Sequence, residues 1–385
     1  MPIRWNVPQH AAASERLDAT LGRAVVLGPD GCGKSTLARL AAEKHGSALT
    51  RWVTGTPTER VVPFGAFSHL VEISDVGKPA ALLRAARASL GGDELLLVVD
   101  DAHHLDVLSA TLVYQLALAG TARLIVTARA EAAPEPIAAL WTDGLLERID
   151  VESPAGATTP GEVDAFLAEL PAAARAVLDY LAVQEPLSLA DLTVLAGEGA
   201  VTEAADWGAA ETRVRGGRSD DPVVYTAHPL FAVRALAALG ADDARRRRTE
   251  VVTLLSRHPS DHLSDQLRVS ALALDSDAPQ RSAEVVAAAQ QALRLGDLAL
   301  GERLARSALE RSGGLAARLA LAHALAWRGR GREADAVLGA VDPTALTEPA
   351  LMDWTLLRAA NQFWMLSEPF LFYTSPRPRD QAWSR

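Results

Sequence analysis

The chain has 385 residues, 49% hydrophobic and 22% charged, which suits a folded protein of two or three domains of roughly 100–200 residues each. Its formal net charge of −10 argues against the chain as a whole binding nucleic acid, which needs a basic surface to displace counterions; a small basic face remains compatible with it. A lone cysteine, Cys32, rules out an intramolecular disulfide, the N-terminus lacks a signal peptide's apolar run, and no stretch approaches the ~18–20 apolar residues that span a bilayer, so we expect a cytoplasmic protein without membrane contact.

Residues 1–153 alternate short β-branched runs with amphipathic stretches, the pattern of a parallel α/β sheet. The expected strands are RAVVLG (23–28), LTRWVTG (49–55), LLLVVD (95–100), ARLIVTA (122–128) and LERIDV (146–151). Most are apolar nearly throughout, as strands covered by helices on both faces should be. A short linker, PAGATTPG, follows Ser153. Residues 162–240 then read as a small winged-helix domain. It has helices at 162–169, 172–183 and 187–196, and strands near 211–215 and 222–227 joined by GGRSDD. Residues 242–365 carry alanine and leucine at three- and four-residue steps. They read as helical hairpins with turns at Gly296-Asp297 and at 329–331, and resemble a loose tetratricopeptide-type repeat. Residues 366–385, rich in aromatics and proline, break that pattern and read as an irregular tail.

Chemistry concentrates in the first domain. Gly28-Pro29-Asp30-Gly31-Cys32-Gly33-Lys34-Ser35, followed by Thr36, fits G-x-x-x-x-G-K-[ST] at every fixed position, between an expected strand and an expected helix. The glycines allow successive backbone N–H groups to face the phosphates of ATP or ADP, and the helix N-terminus adds a favourable dipole. Lys34 is expected at the β- and γ-phosphates and the Ser35 hydroxyl on Mg²⁺. LLLVVDD ends in two carboxylates. Asp100 is expected to orient Mg²⁺ through its water shell, and Asp101 to polarise an attacking water. Thr127 and Arg129 close the next strand, where they either sense the γ-phosphate or simply end the strand. A further strand between the Asp100 strand and the phosphate-loop strand would make the sheet AAA-like rather than kinase-like.

VDDAHHLD (99–106), PFGAFSHL (63–70) and LIVTARAEAAPEPIAALWTDGLLERIDV (124–151) look like the ATPase domain of the large LuxR-type transcriptional regulators. These belong to the signal-transduction ATPases with numerous domains, or STAND proteins. The resemblance runs from roughly residue 25 to residue 365 and implies an AAA-like ATPase, a winged helix and a tetratricopeptide-like sensor. YTAHPLFAVRAL (225–236) is similar to the segment that closes the family's winged helix. The resemblance implies that His228 touches the ADP β-phosphate and latches the closed state; read from its position alone, His228 is a cap between hairpin and helix. Three departures stand out. The glycine-arginine segment that opens the family's domain is not evident, only residues 152–161 stand where a helical lid is expected, and Arg385 falls short of a LuxR helix-turn-helix. The last suggests a truncated regulator without its own DNA-binding module.

Other features read as structural. Arg245–Arg248 lies among acids and is expected to be a solvated helix face. His103 and His104 have no evident metal co-ligands, and Cys32 fits the loop as a small residue. SLADLTVLAGEGAVTEAADWG carries acids and no lysine or arginine, so the winged helix is expected to act as an intrachain clamp rather than on DNA. The sequence therefore points to a slow ATPase switch that self-assembles when ATP-bound, with an inducer or protein on the helical repeats. The alternatives are a hydrolysis-deficient scaffold or remnant of such a regulator and, with less support, a P-loop kinase.

Overall fold

A computed structural model describes residues 10–45, 49–72, 79–90, 95–152, 159–217 and 221–365. The expected tail at 366–385, most of the linker and part of the GGRSDD turn lie outside the described residues. The chain forms two compact units, dividing between Pro279 and Gln280.

In the first unit α1 (Ala11–Ala19) precedes β1 (Arg23–Leu27), the phosphate loop and α2 (Lys34–His45). Then come β2 (Leu49–Thr54), α3 (Pro79–Ser89), β3 (Leu95–Asp100), α4 (Val107–Ala119), β4 (Arg123–Ala128), α5 (Glu135–Thr142) and β5 (Glu147–Asp150). All five expected strands form, and they pair in parallel in the order β2-β3-β4-β1-β5. β4 lies between β3 and β1, so the sheet has the AAA-like arrangement. Val25, Val26, Leu96, Val98, Ile125 and Ile149 are fully buried, which is why these strands read as continuous apolar runs. Local signals set the element ends. The Asp106 carboxylate accepts from Leu108 N and Ser109 N at the start of α4, and Gly120 at φ 61° stops that helix.

The chain continues through α6 (Pro160–Glu169), α7 (Ala172–Val183), β6 (Leu187–Ser188), α8 (Leu189–Ala196), α9 (Ala200–Asp206), β7 (Ala210–Arg213) and β8 (Val223–Thr226). The Thr159–Glu162 capping box starts α6. The three strands pair antiparallel in the order β6-β8-β7. Two elements escape the sequence reading. β6 is two residues long, and α9 spans seven residues behind Gly197 and Gly199, both at positive φ, too short for periodicity to show. α10 (Pro229–Leu255) runs on past 240, kinked at Gly240 (φ 72°, ψ 174°), and α11 (Leu263–Leu274) follows. Ala244 and Val251 join Phe166, Leu178 and Phe231 in one apolar core, with the two phenylalanine rings stacked at 5.0 Å. Residues 242–279 thus lie with the first unit.

The second unit holds α12 (Ser282–Arg294), α13 (Leu298–Ser312), α14 (Leu315–Trp327), α15 (Gly331–Gly339), α16 (Glu348–Ala360) and a π-helical turn at Asn361–Met365. The helix breaks fall at the expected turns. Small residues set the close packing: a Cβ on Gly301 of α13 would stand 2.6 Å from the Leu293 side chain of α12. In fold class the chain is an α/β P-loop NTPase followed by an all-α region.

Candidate functional site

The C-terminal ends of β1, β4 and β3 lie side by side, which brings the phosphate loop, Thr127 and Asp100 together at one edge of the sheet. The loop turns with Gly31 at φ 74° and Gly33 at φ 93°, conformations that side chains with a Cβ disfavour. A Cβ on Gly28 would lie 2.4 Å from the Val151 carbonyl and 2.7 Å from Cys32 Sγ, so the loop start is packed tight. Cys32 is buried, which pushes its thiol up and leaves it inert packing. Thr36, half-buried, sits in the first turn of α2, which carries no acid there. Lys34 is 4% exposed and donates from Nζ to the Pro29 carbonyl at 2.7 Å, folded back over the loop.

Asp100 is buried. Its Oδ1 accepts from Ser35 Oγ at 2.8 Å and from Thr127 Oγ1 at 2.7 Å. The Thr127 hydroxyl also accepts the Asp101 N–H at 2.9 Å, so one side chain ties the end of β4 to both carboxylate residues. Asp101 itself is left-handed (φ 49°, ψ 45°), a conformation that turns the chain sharply at the site. Burial, and then the adjacent Asp100 charge, push the Asp101 carboxyl up to about 7. Arg129 donates to Asp30 Oδ2 at 2.8 Å and to Glu131 Oε1 at 3.0 Å, placing it beside the phosphate loop. Burial raises the Asp30 pKa, but the Arg129 hydrogen bond and charge outweigh it and hold the carboxyl below its usual range.

His103 and His104 pack at 4.2 Å, and His103 Nδ1 is 4.0 Å from Asp101 Oδ1. Burial, and then the His104 charge, drive His103 down to about 3, so it is neutral. Neither of its ring nitrogens finds a hydrogen-bond partner among the described residues.

The small antiparallel part covers this edge. His228 caps α10 by accepting the Leu230 N–H at 3.1 Å, and a Cβ on Gly31 would stand 2.7 Å from His228 Nε2. Cap and loop contact are therefore both present. Around it, Glu211 pairs with Arg39, and the Glu185 carbonyl accepts from Thr56 at 2.8 Å. Glu59, fully buried, faces Arg215 at 3.4 Å and Arg268 at 3.9 Å. Ser264 Oγ of α11 donates to the Pro63 carbonyl at 2.7 Å, and His262 Nε2 lies 2.8 Å from the Val71 carbonyl.

Sequence reasoning missed Arg213 of β7, whose Nη1 approaches Asp100 Oδ2 at 3.6 Å. In ETRVRGG it reads as an ordinary strand-end arginine. The available signal was that Arg213 and Arg215 stand two apart on the strand expected near 211–215, which would place them on one face, although the observed β7 ends at Arg213.

The donor set suits a magnesium nucleotide. A buried carboxylate and a hydroxyl 2.8 Å from it are hard oxygens, and a glycine loop opens onto a helix N-terminus beside a buried lysine. Among the described residues no helix is long and apolar enough to cross a membrane.

In fold the chain is similar to the crystal structure of a Signal Transduction ATPase with Numerous Domains (STAND) protein with a tetratricopeptide repeat sensor from Pyrococcus horikoshii, at a TM-score of 0.53 and 13% identity. The match covers 96% of this chain and 63% of that one, so the chain spans less than two thirds of its neighbour's length. The sequence matches no family model and no curated protein.

Proposed function

We propose that the chain is a nucleotide-controlled signalling switch of the STAND type, holding ATP or ADP with Mg²⁺ on the phosphate loop. The observation that carries this reading is the placement of His228, from beyond the sheet domain, against Gly31 of that loop. A switch needs a second structural element whose fit depends on what the loop holds.

In this reading the loop N–H groups and Lys34 bind the phosphates. Ser35 and Asp100 would hold Mg²⁺, which when bound neutralises phosphate charge. Asp101, at the turn that follows Asp100, polarises an attacking water in slow hydrolysis. His228 latches the closed, ADP-bound state. ATP, together with an inducer or protein on the helical repeats, favours opening and self-assembly. The finer reading, a regulator of the LuxR type, is supported by VDDAHHLD, PFGAFSHL and the 124–151 segment; a transcriptional response in cells that survives Lys34→Ala would count against it.

One observation favours the hydrolysis-deficient alternative: the Thr127 hydroxyl is engaged by Asp100 and Asp101, and Arg129 by Asp30. Hydrolysis that disappears in Asp101→Asn would exclude it.

The central test is to purify the protein, denature it and identify released nucleotide by chromatography, with Lys34→Ala alongside. ADP from the wild type alone is the expected result. A folded wild type that carries no nucleotide and fails to take up added ATP would overturn the switch.

A further inference from the structure

Arg213 places a positive charge where the proposed site needs a divalent cation. The two oxygens of Asp100 have different partners: Oδ1 accepts the Ser35 and Thr127 hydroxyls, while Oδ2 faces the Arg213 guanidinium at 3.6 Å. A carboxylate this deeply buried requires a countercharge. Lys34 does not lie on it, since its ammonium is turned to the Pro29 carbonyl. The arginine supplies the charge, from a strand more than a hundred residues further along the chain.

Arg213 also has a resting place that does not depend on Asp100. It pairs with Glu211 on its own strand, lies over the Tyr225 ring at 5.1 Å and donates to Thr54 Oγ1 at 3.3 Å. Its Nε has no hydrogen-bond partner among the described residues. The guanidinium is therefore held beside Asp100 without being fully committed to it.

Resting on the switch reading above, we propose that Arg213 stands in for Mg²⁺ in the closed state, so that Mg²⁺ and the β7–β8 hairpin compete for Asp100. A doubly charged cation at Ser35 and Asp100 and a guanidinium within about 4 Å of the same carboxylate repel each other in a site with little water. The competition reaches the latch through the hairpin. Arg213 pairs with Val223 and Ala210 with Thr226 in the β7–β8 ladder, and Ala227 N donates to the Ala209 carbonyl immediately before His228. What Mg²⁺ displaces at Arg213 is thus on the same hydrogen-bonded strand pair that leads into His228 at Gly31. By linkage, a seated hairpin weakens Mg²⁺ binding by the factor by which Mg²⁺ loosens the hairpin. The closed state then prefers nucleotide without the metal.

The test measures fluorescent ADP affinity in EDTA and in excess Mg²⁺ for the full chain, Arg213→Gln and Arg213→Lys. Mg²⁺ should tighten ADP little in the wild type and in Arg213→Lys, and about tenfold more strongly in Arg213→Gln, which lacks the charge. An equal Mg²⁺ effect in wild type and Arg213→Gln, with nucleotide bound by both, overturns this proposal and leaves the switch reading standing. No nucleotide binding by the folded wild type overturns both. A measurement on the wild type alone guards against a variant that fails to fold: amide exchange across 210–227 with ADP should rise on adding Mg²⁺, and unchanged exchange counts against the competition.

Discussion

Replacing Gly31 by Ala loads the phosphate loop in two separable ways. The residue sits at φ 74°, where a left-handed L residue is disfavoured by about 1–2 kcal/mol. The new Cβ would also stand 2.7 Å from His228 Nε2, closer than unbonded atoms approach, so the imidazole or the loop must move. The loop has little room, because Gly28 is packed against the Val151 carbonyl. The imidazole therefore yields, and with it the cap it provides to α10, worth about 1 kcal/mol. Gly31→Ala should then destabilise the first unit by about 2–3 kcal/mol. In a His228→Ala background only the backbone load remains, so the double variant should be more stable than the sum of the two singles by about 1 kcal/mol. Urea unfolding of the four proteins, followed by tryptophan fluorescence, measures that difference. Additivity to within about 0.3 kcal/mol would refute the contact between the histidine and the loop.

Phe231→Ala, which opens a hole in the core shared by α6, α7 and α10, should cost about 3–5 kcal/mol by the same unfolding assay. Thr127→Val keeps the shape of the side chain but strips both the Asp100 and the Asp101 contacts, and should cost about 1–3 kcal/mol in protein freed of nucleotide. Glu59 responds to pH. Burial pushes its carboxyl up to about 7 against the pull of Arg215, Arg268 and Thr56, with Glu185 adding to the rise. A raised folded pKa means that its stabilising contribution is full below the unfolded value near 4.5 and is lost as pH climbs to about 7. Measured against Glu59→Gln, wild-type stability should fall across that window, and a constant difference would show that folding leaves the Glu59 pKa unshifted.

Much of the sheet domain was legible because its signals are local. The phosphate loop is eight consecutive residues whose glycines have to supply positive φ at Gly31 and Gly33, and its flanking strand and helix announce themselves by apolar run and periodicity. Asp100 follows from the same logic, as the polar end of a buried strand. The helical hairpins of the second unit were equally readable, since small apolar residues recur at helical spacing and glycines mark the turns. Short elements were not: β6 has two residues, and α9 has fewer than the two or more turns that periodicity needs. The kink at Gly240 hid the continuity of α10, because a glycine at φ 72° in a helical run reads as an end.

The amino-acid sequence by itself determined the glycine-rich loop between strand and helix and the strand end that presents a carboxylate, because neighbours along the chain carry those signals. Only the tertiary structure decided what faces them. Arg213 beside Asp100, His228 against Gly31 and Glu59 between Arg215 and Arg268 each join residues far apart in the chain. No local spacing encodes such pairs. They exist because the packing of α6, α7 and α10 fixes where the β7–β8 hairpin can lie, and a charge buried there must find its partner across the fold rather than along it.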